Sequence, residues 1–203
     1  MKLILVRHCE TQWNHEQRAQ GSTDIALNEN GLRQAEALAH SLKNENIAAV
    51  YSSPLSRAMV TAQTIARHHA LTVVPDDNLR ELDMGLLDGL TGAEMRQQYP
   101  ELLKEWAIDP GPLKMPEGES LNELQERAWR AVLRAKDNHG DGTVLMVSHN
   151  LTIQSVICKA IALPLANFRR LRQNVGAMNV LALDGAAISL LRLNDTCHLK
   201  QAL

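Results

Sequence analysis

Arg7 and His8 stand together at the end of the apolar run Leu3–Val6, and His149 follows a second such run, Thr143–Val147. Arg57 lies in the first turn of the helix expected after the run Ile47–Tyr51. A phosphate dianion is held best by planar bidentate donors, which arginine supplies. An imidazole nitrogen attacks phosphorus and later departs from phosphohistidine, which divides one difficult displacement into two easier ones. His8 as nucleophile and His149 as clamp are therefore roles open to these residue types. Arg57 would sit where helix N–H groups and the macrodipole favour an anion, although its own charge opposes that dipole. A phosphoryl group nearby explains it better than a structural ion pair does. Either arginine–histidine pair alone is commonplace; their convergence carries the weight.

That convergence depends on the elements between them. Leu3–Val6, Ile47–Tyr51, Thr72–Val74 and Thr143–Val147 are short continuous apolar runs, as strands buried on both faces require. Leu32, Ala35, Leu38, Ala39 and Leu42 recur at helical spacing from Gly31 onward. Ser53-Pro54 is a helix start, with a capping hydroxyl and proline at the first helical position. Ser120 with Glu123 forms a capping box ahead of the stripe Leu121, Leu124, Ala128, Ala131, Val132 and Ala135. A helix is expected over Leu151–Leu163. Ala177–Leu183 and Ala186–Leu193, joined at Asp184-Gly185, are expected to pair as a hairpin. Alternating strands and helices predict an α/β three-layer sandwich: a mostly parallel sheet, helices on both faces, and an antiparallel element near the C-terminus. In such sheets ligands bind beyond the carboxyl ends of the strands, where Arg7, His8 and His149 fall. Residues 1–203 are expected to form one domain. The Pro- and Gly-rich stretch at about 88–118 would be an excursion able to act as a lid.

Bulk properties narrow the class. The formal net charge of −2 argues against a general nucleic-acid binder. Cys9, Cys158 and Cys197 show no ladder or CxxC spacing, as expected of reduced thiols. No apolar run is long enough to span a bilayer, so no membrane partner is expected and the location predicted is cytoplasmic. No His/Asp/Glu cluster has metal-ligand spacing, so neither a metal ion nor any other cofactor is expected.

The stretch Leu5-Val6-Arg7-His8-Cys9-Glu10-Thr11-Gln12-Trp13-Asn14 resembles the signature of the histidine phosphatase superfamily, whose fold is phosphoglycerate-mutase-like. The resemblance continues through Gln20-Gly21-Ser22-Thr23-Asp24, Tyr51-Ser52-Ser53-Pro54-Leu55-Ser56-Arg57-Ala58, Arg80-Glu81-Leu82-Asp83-Met84-Gly85, Pro116-Glu117-Gly118-Glu119-Ser120 and Val147-Ser148-His149. Spaced motifs in the same order over nearly the whole chain make it specific. It implies that His8 accepts the phosphoryl group while Arg7, Arg57 and His149 hold its oxygens. Asn14 and Gln20-Gly21 would complete the pocket, and Glu81 would serve as general acid and then general base. Met84 would face the leaving group. Two positions depart from the common pattern. Cys9 replaces glycine or alanine and would be either a small buried thiol or an oxidation target. Asn150 replaces a common glycine and could contact substrate.

Within that family the small bacterial phosphatases match better than the cofactor-dependent phosphoglycerate mutases. The resemblance to mutases implies extra basic residues in the excursion, whereas this chain has Gly92 at a lysine position. Between Gly85 and Gly118 its basic residues are Arg96, Lys104 and Lys114. The partner expected is a small-molecule phosphate monoester, such as phosphoserine, α-ribazole phosphate or a range of esters. A homodimer is left open. The mutase is the alternative. A catalytically inactive phosphate-binding module would have no need to keep His8, Glu81, Arg7, Arg57 and His149 together.

Overall fold

The computed structural model describes residues 1–201. Its strands are β1 (Lys2–Arg7), β2 (Ile47–Ser52), β3 (Val73–Pro75), β4 (Thr143–Ser148), β5 (Met178–Asp184) and β6 (Ala187–Asp195). Its α-helices are α1 (Gln12–His15), α2 (Glu29–Leu42), α3 (Ser56–Ala66), α4 (Gly92–Gln98), α5 (Pro100–Ile108), α6 (Leu121–His139) and α7 (Asn150–Ala160). The six strands form one sheet in the order β3-β2-β4-β1-β5-β6. β3, β2, β4 and β1 run parallel, while β5 pairs antiparallel with β1 and the edge strand β6 antiparallel with β5. No described helix is long and apolar enough to cross a membrane.

Strand alternation divides the core into two layers. Leu3, Leu5, Val144 and Met146 face α6 and α7, whereas Ile4, Val6, Leu145 and Val147 face α2 and α3. Both faces are thus covered, which explains why β1 and β4 read as unbroken apolar runs. The stripe on α6 expected from the sequence is buried as a unit behind the Ser120–Glu123 capping box. β1 and β4 pair in register, Arg7 opposite Ser148, so Arg7-His8 and Ser148-His149 leave the same sheet edge side by side.

Several boundaries differ from expectation for identifiable reasons. α3 begins at Ser56 with Leu55 at its N-cap, and no side chain within that turn caps it. The Ser53 hydroxyl is paired with His149 Nε2 at 2.8 Å. The carboxylate of Asp24, from a separate loop, accepts hydrogen bonds from the Ser56 amide and hydroxyl at 2.8 Å each. α2 begins at Glu29, before Gly31, because Asn28 caps the Gly31 amide at 2.7 Å. A Cβ on Gly31 would lie 2.0 Å from the Glu10 carbonyl oxygen, so glycine lets the loop after His8 cross the helix. β3 is displaced by one residue and α7 ends at Ala160. β5 runs through Asp184, which moves the hairpin turn to Gly185-Ala186.

The excursion carries α4 and α5 and is tied back at several places. Trp106 of α5 packs on Phe168 with ring centroids 5.8 Å apart, and Arg169 donates to the Trp106 carbonyl at 3.0 Å. Near the sheet edge, the Ala19 amide donates to Leu90 O at 2.8 Å and the Gly89 amide to Ala19 O at 3.0 Å. The loop following α1 and the start of the excursion therefore form one wall.

Candidate active site

His8 is 3% exposed, and its Nδ1 lies 2.7 Å from the carbonyl oxygen of Cys9. A carbonyl only accepts, so Nδ1 carries the proton and Nε2 carries the lone pair. Burial first, and then the charges of Arg7 and Arg57, push the His8 pKa well below the ordinary histidine value. The ring is neutral near pH 7. Main-chain bonds hold it in place: the His8 amide donates to Ser148 O at 2.9 Å, and the Gly176 amide donates to His8 O at 3.1 Å.

His149 is fully buried, with its ring centroid 5.1 Å from that of His8. Arg57 Nε donates to His149 Nδ1 at 3.2 Å. Nε2–H is therefore the protonated site, and it donates to Ser53 Oγ. Burial, reinforced by Arg57, lowers the His149 pKa as well. His149, expected as a phosphate clamp, has both ring nitrogens engaged with protein, Nδ1 with Arg57 and Nε2 with Ser53.

Arg57 is also fully buried and off that wall. Its Nη2 donates to Gly21 O and its Nη1 to Thr23 O, each at 2.8 Å. Three of its five N–H groups are thus committed to protein, leaving one on each Nη nitrogen. Arg57 makes no ion pair among the described residues, but its hydrogen bonds to the 21–23 loop give it a structural duty besides. The loop at 21–23 is thereby fastened to the N-terminus of α3, through the buried Gly21 and the exposed Thr23. Burial lowers the Arg57 pKa to about 10, so it remains a cation at neutral pH.

A cavity of about 180 Å³ opens in front of His8, lined by Arg7, Asn14, Arg18, Ala19, Gln20, Glu81, Met84, Asn150 and Leu151. Arg7 donates from Nη1 to Gln173 O at 2.6 Å, while its buried Nε has no protein partner. Asn14 and Gln20 are oriented by Thr11. The Thr11 amide donates to Asn14 Oδ1 at 3.1 Å, and its hydroxyl lies 2.9 Å from Gln20 Oε1. Both carboxamides therefore turn their NH₂ ends outward, and Gln20 Nε2 is buried without a protein acceptor. Two buried donors without a protein partner beside a neutral imidazole are suited to meet the oxygens of an anion.

Glu81 occupies the N-terminus of α7. Its carboxylate accepts hydrogen bonds from the amides of Leu151 at 3.0 Å, Thr152 at 3.1 Å and Leu82 at 2.9 Å. Arg127 holds the backbone that carries it, donating to Asn78 O, Arg80 O and Glu81 O at 2.8–2.9 Å while pairing with Glu119 at 2.7 Å. This accounts for Glu119 in the Pro116–Ser120 motif. Thr152 and Arg127 escaped the reading of the sequence, and Ser53 was read only as a helix cap, because each acts through a partner distant in the chain. Arg18 had no signal beyond its charge.

Gly21, expected at the pocket, and Cys9, read as either a small buried thiol or an oxidation target, are both buried. Gly21 is buried but is not part of the cavity wall; a Cβ there would lie 2.7 Å from Leu82 O and 2.9 Å from Met84 N, so its role is close packing. Cys9 is fully buried, and burial pushes its thiol pKa up to about 12. A protonated, inaccessible thiol is a poor oxidation target.

With this geometry in hand, comparison with known proteins gives a consistent result. The model of the histidine phosphatase superfamily (branch 1) matches residues 3–196. Phosphoserine phosphatase 1 of Hydrogenobacter thermophilus is 34% identical over 199 residues, covering 98% of this chain and 94% of the relative. A probable phosphoglycerate mutase GpmB of Yersinia pestis is 35% identical, covering 85% and 80%. Among solved structures, YhfR of Bacillus stearothermophilus superposes with a TM-score of 0.92 at 30% identity, covering 98% of each chain. A histidine with a free Nε2 at the edge of a mixed sheet thus coincides with a match across nearly the entire sequence, and the chain belongs to the histidine phosphatase superfamily.

Proposed function

We propose that this chain is a metal-independent phosphatase that hydrolyses small phosphate monoesters through a phosphohistidine on His8 Nε2. The carrying observation is the lone pair at that nitrogen, held by the Nδ1–H bond to Cys9 O, at the same cavity as Glu81. In the first step Nε2 attacks phosphorus, the ester P–O bond breaks, and the leaving oxygen takes a proton from Glu81. In the second, water attacks phosphorus, gives a proton to the Glu81 carboxylate, and the P–N bond breaks to release inorganic phosphate. Arg7 Nε, Gln20 Nε2 and Asn14 Nδ2 would meet the phosphoryl oxygens from the cavity wall, with the spare N–H groups of Arg57 supporting from behind. Met84 and Asn150 would face the leaving group. The excursion would serve as the wall that limits its size.

Hydrolysis is favoured over mutase action by where the basic residues lie. Arg96 and Lys104 line neither the His8 cavity nor the adjoining one that shares Glu81; Lys114 lines the adjoining one but pairs with Glu123, as Lys104 does with Glu101. Arg18 does line the cavity, but Glu16 and Glu94 lie 3.0 and 3.5 Å from its guanidinium. A mutase must retain a phosphorylated intermediate and exclude water, which takes more cationic contacts than these. A panel of phosphate monoesters assayed with EDTA present should show phosphate release. With 3-phosphoglycerate and catalytic 2,3-bisphosphoglycerate, 2-phosphoglycerate formation should be small beside hydrolysis of the best monoester. Loss of turnover in EDTA would refute metal independence, and efficient isomerisation would establish the mutase.

The role of Glu81 has its own test. Glu81→Gln should slow hydrolysis of an alkyl phosphate by about 10²–10⁴-fold, the usual worth of general acid–base catalysis. It should slow transfer from p-nitrophenyl phosphate much less, since p-nitrophenolate departs without a proton. Equal losses in kcat/KM on both esters, with phosphoryl transfer limiting, would remove Glu81 from the leaving-group step.

A further inference from the structure

β5 is apolar between its exposed last residue, Asp184, and Met178 except at Asn179, which is fully buried between Met178 and Val180. A carboxamide in such a strand is destabilising unless every polar atom finds a partner. Here all are used. Asn179 Oδ1 accepts from Gln173 Nε2 at 2.9 Å and from the Asn194 amide at 2.8 Å. Asn179 Nδ2 donates to Gln173 Oε1 at 2.8 Å and to Leu5 O at 3.3 Å. Asn179 and Gln173 therefore form a reciprocal amide pair, itself tied to β1 and β6. Gln173 lies in an irregular segment between Arg170 and Met178, where no ladder fixes the backbone and the amide of the following residue, Asn174, is held by Asn194 Oδ1 at 2.7 Å. Yet its carbonyl oxygen is the acceptor for Arg7 Nη1, at 2.6 Å.

We infer that the Gln173–Asn179 amide pair positions the Arg7 guanidinium by holding the Gln173 carbonyl against Nη1. A guanidinium is planar, so fixing Nη1 also fixes the direction of Nε, the donor that is buried without a protein partner. Leu5 and Asn179 are cross-strand partners, two residues before Arg7 on β1, so the pair and the arginine share one rigid support. Donors held by such support are preorganised and lose little when charge develops in front of them. The inference rests on the proposed role of Arg7 toward the phosphoryl group.

The test is a double-mutant cycle between Gln173→Met and Arg7→Ala. Methionine keeps the side-chain volume and the main-chain carbonyl but removes both amide bonds. In the wild-type background Gln173→Met should lower kcat/KM on p-nitrophenyl phosphate by about 10- to 100-fold, as small misplacements of a catalytic group do. Orthovanadate affinity, measured by titration calorimetry well below the melting temperature, should weaken in parallel. In the Arg7→Ala background the same substitution should change both quantities by less than about twofold, because its effect passes through Arg7. Gln173→Asn, one methylene too short for the reciprocal bonds, is read in the same way should the methionine variant not melt cooperatively. Equal losses in both backgrounds would reduce the pair to a stabilising core element and overturn the inference. Arg7→Ala that leaves turnover and vanadate binding intact would instead overturn the role of Arg7 itself.

Discussion

His8→Ala is expected to abolish turnover, by on the order of 10⁵-fold or more, while the protein still melts cooperatively. No other described side chain on the cavity wall offers an imidazole lone pair, and His149 has both ring nitrogens engaged by Arg57 and Ser53. The fold should survive because the substitution removes a single side-chain bond, to Cys9 O, while the main-chain bonds to Ser148 and Gly176 remain. Rapid mixing of wild-type enzyme with ³²P-labelled substrate, quenched in base and detergent, should trap label on the protein that acid then releases. His8→Ala should trap none. Label that never attaches to wild-type protein under fast-quench conditions would sink the covalent mechanism, whatever the mutant does.

Arg57→Ala is expected to damage stability and catalysis together, which separates it from His8→Ala. Truncation strands Gly21 O and His149 Nδ1 in a buried place, removes the bond to Thr23 O, and leaves a cavity where a whole guanidinium lay. Each stranded acceptor costs roughly 1 kcal/mol or more, so a loss on the order of 3 kcal/mol is expected. For a chain of this size that corresponds to a melting temperature lower by about 6–12 °C. Activity should fall further than global unfolding explains. The loop at 21–23 would lose its anchor to α3, and the supporting N–H groups would be gone. In wild type, phosphate or vanadate should raise the melting temperature, and the mutant should lose most of that gain. An unchanged apo melting temperature would show that the loop does not depend on this residue. Retained activity beside a large stability loss would confine Arg57 to the fold.

The sequence alone was enough for the strands, because β1 and β4 are covered on both faces and an apolar run of that length has few other uses. It was also enough for α6, where the Ser120–Glu123 box and the apolar stripe agree and lie within one segment. His8, Arg7 and His149 were found because strand ends in a parallel sheet share an edge, so position along the chain predicts position in space. Glu81 was reached through family resemblance alone, since its environment is supplied by Leu151 and Thr152, some seventy residues away. What the tertiary structure decided has the same character throughout. Ser53 leaves its helix for His149, Asp24 caps α3 from another loop, Arg57 spends its donors on Gly21 and Thr23, and Arg127 grips the backbone beneath Glu81. Apolar periodicity is a local property that burial imposes on each segment separately. A hydrogen bond between distant residues closes only when the fold brings both ends together, and neither end carries a mark of it in the chain.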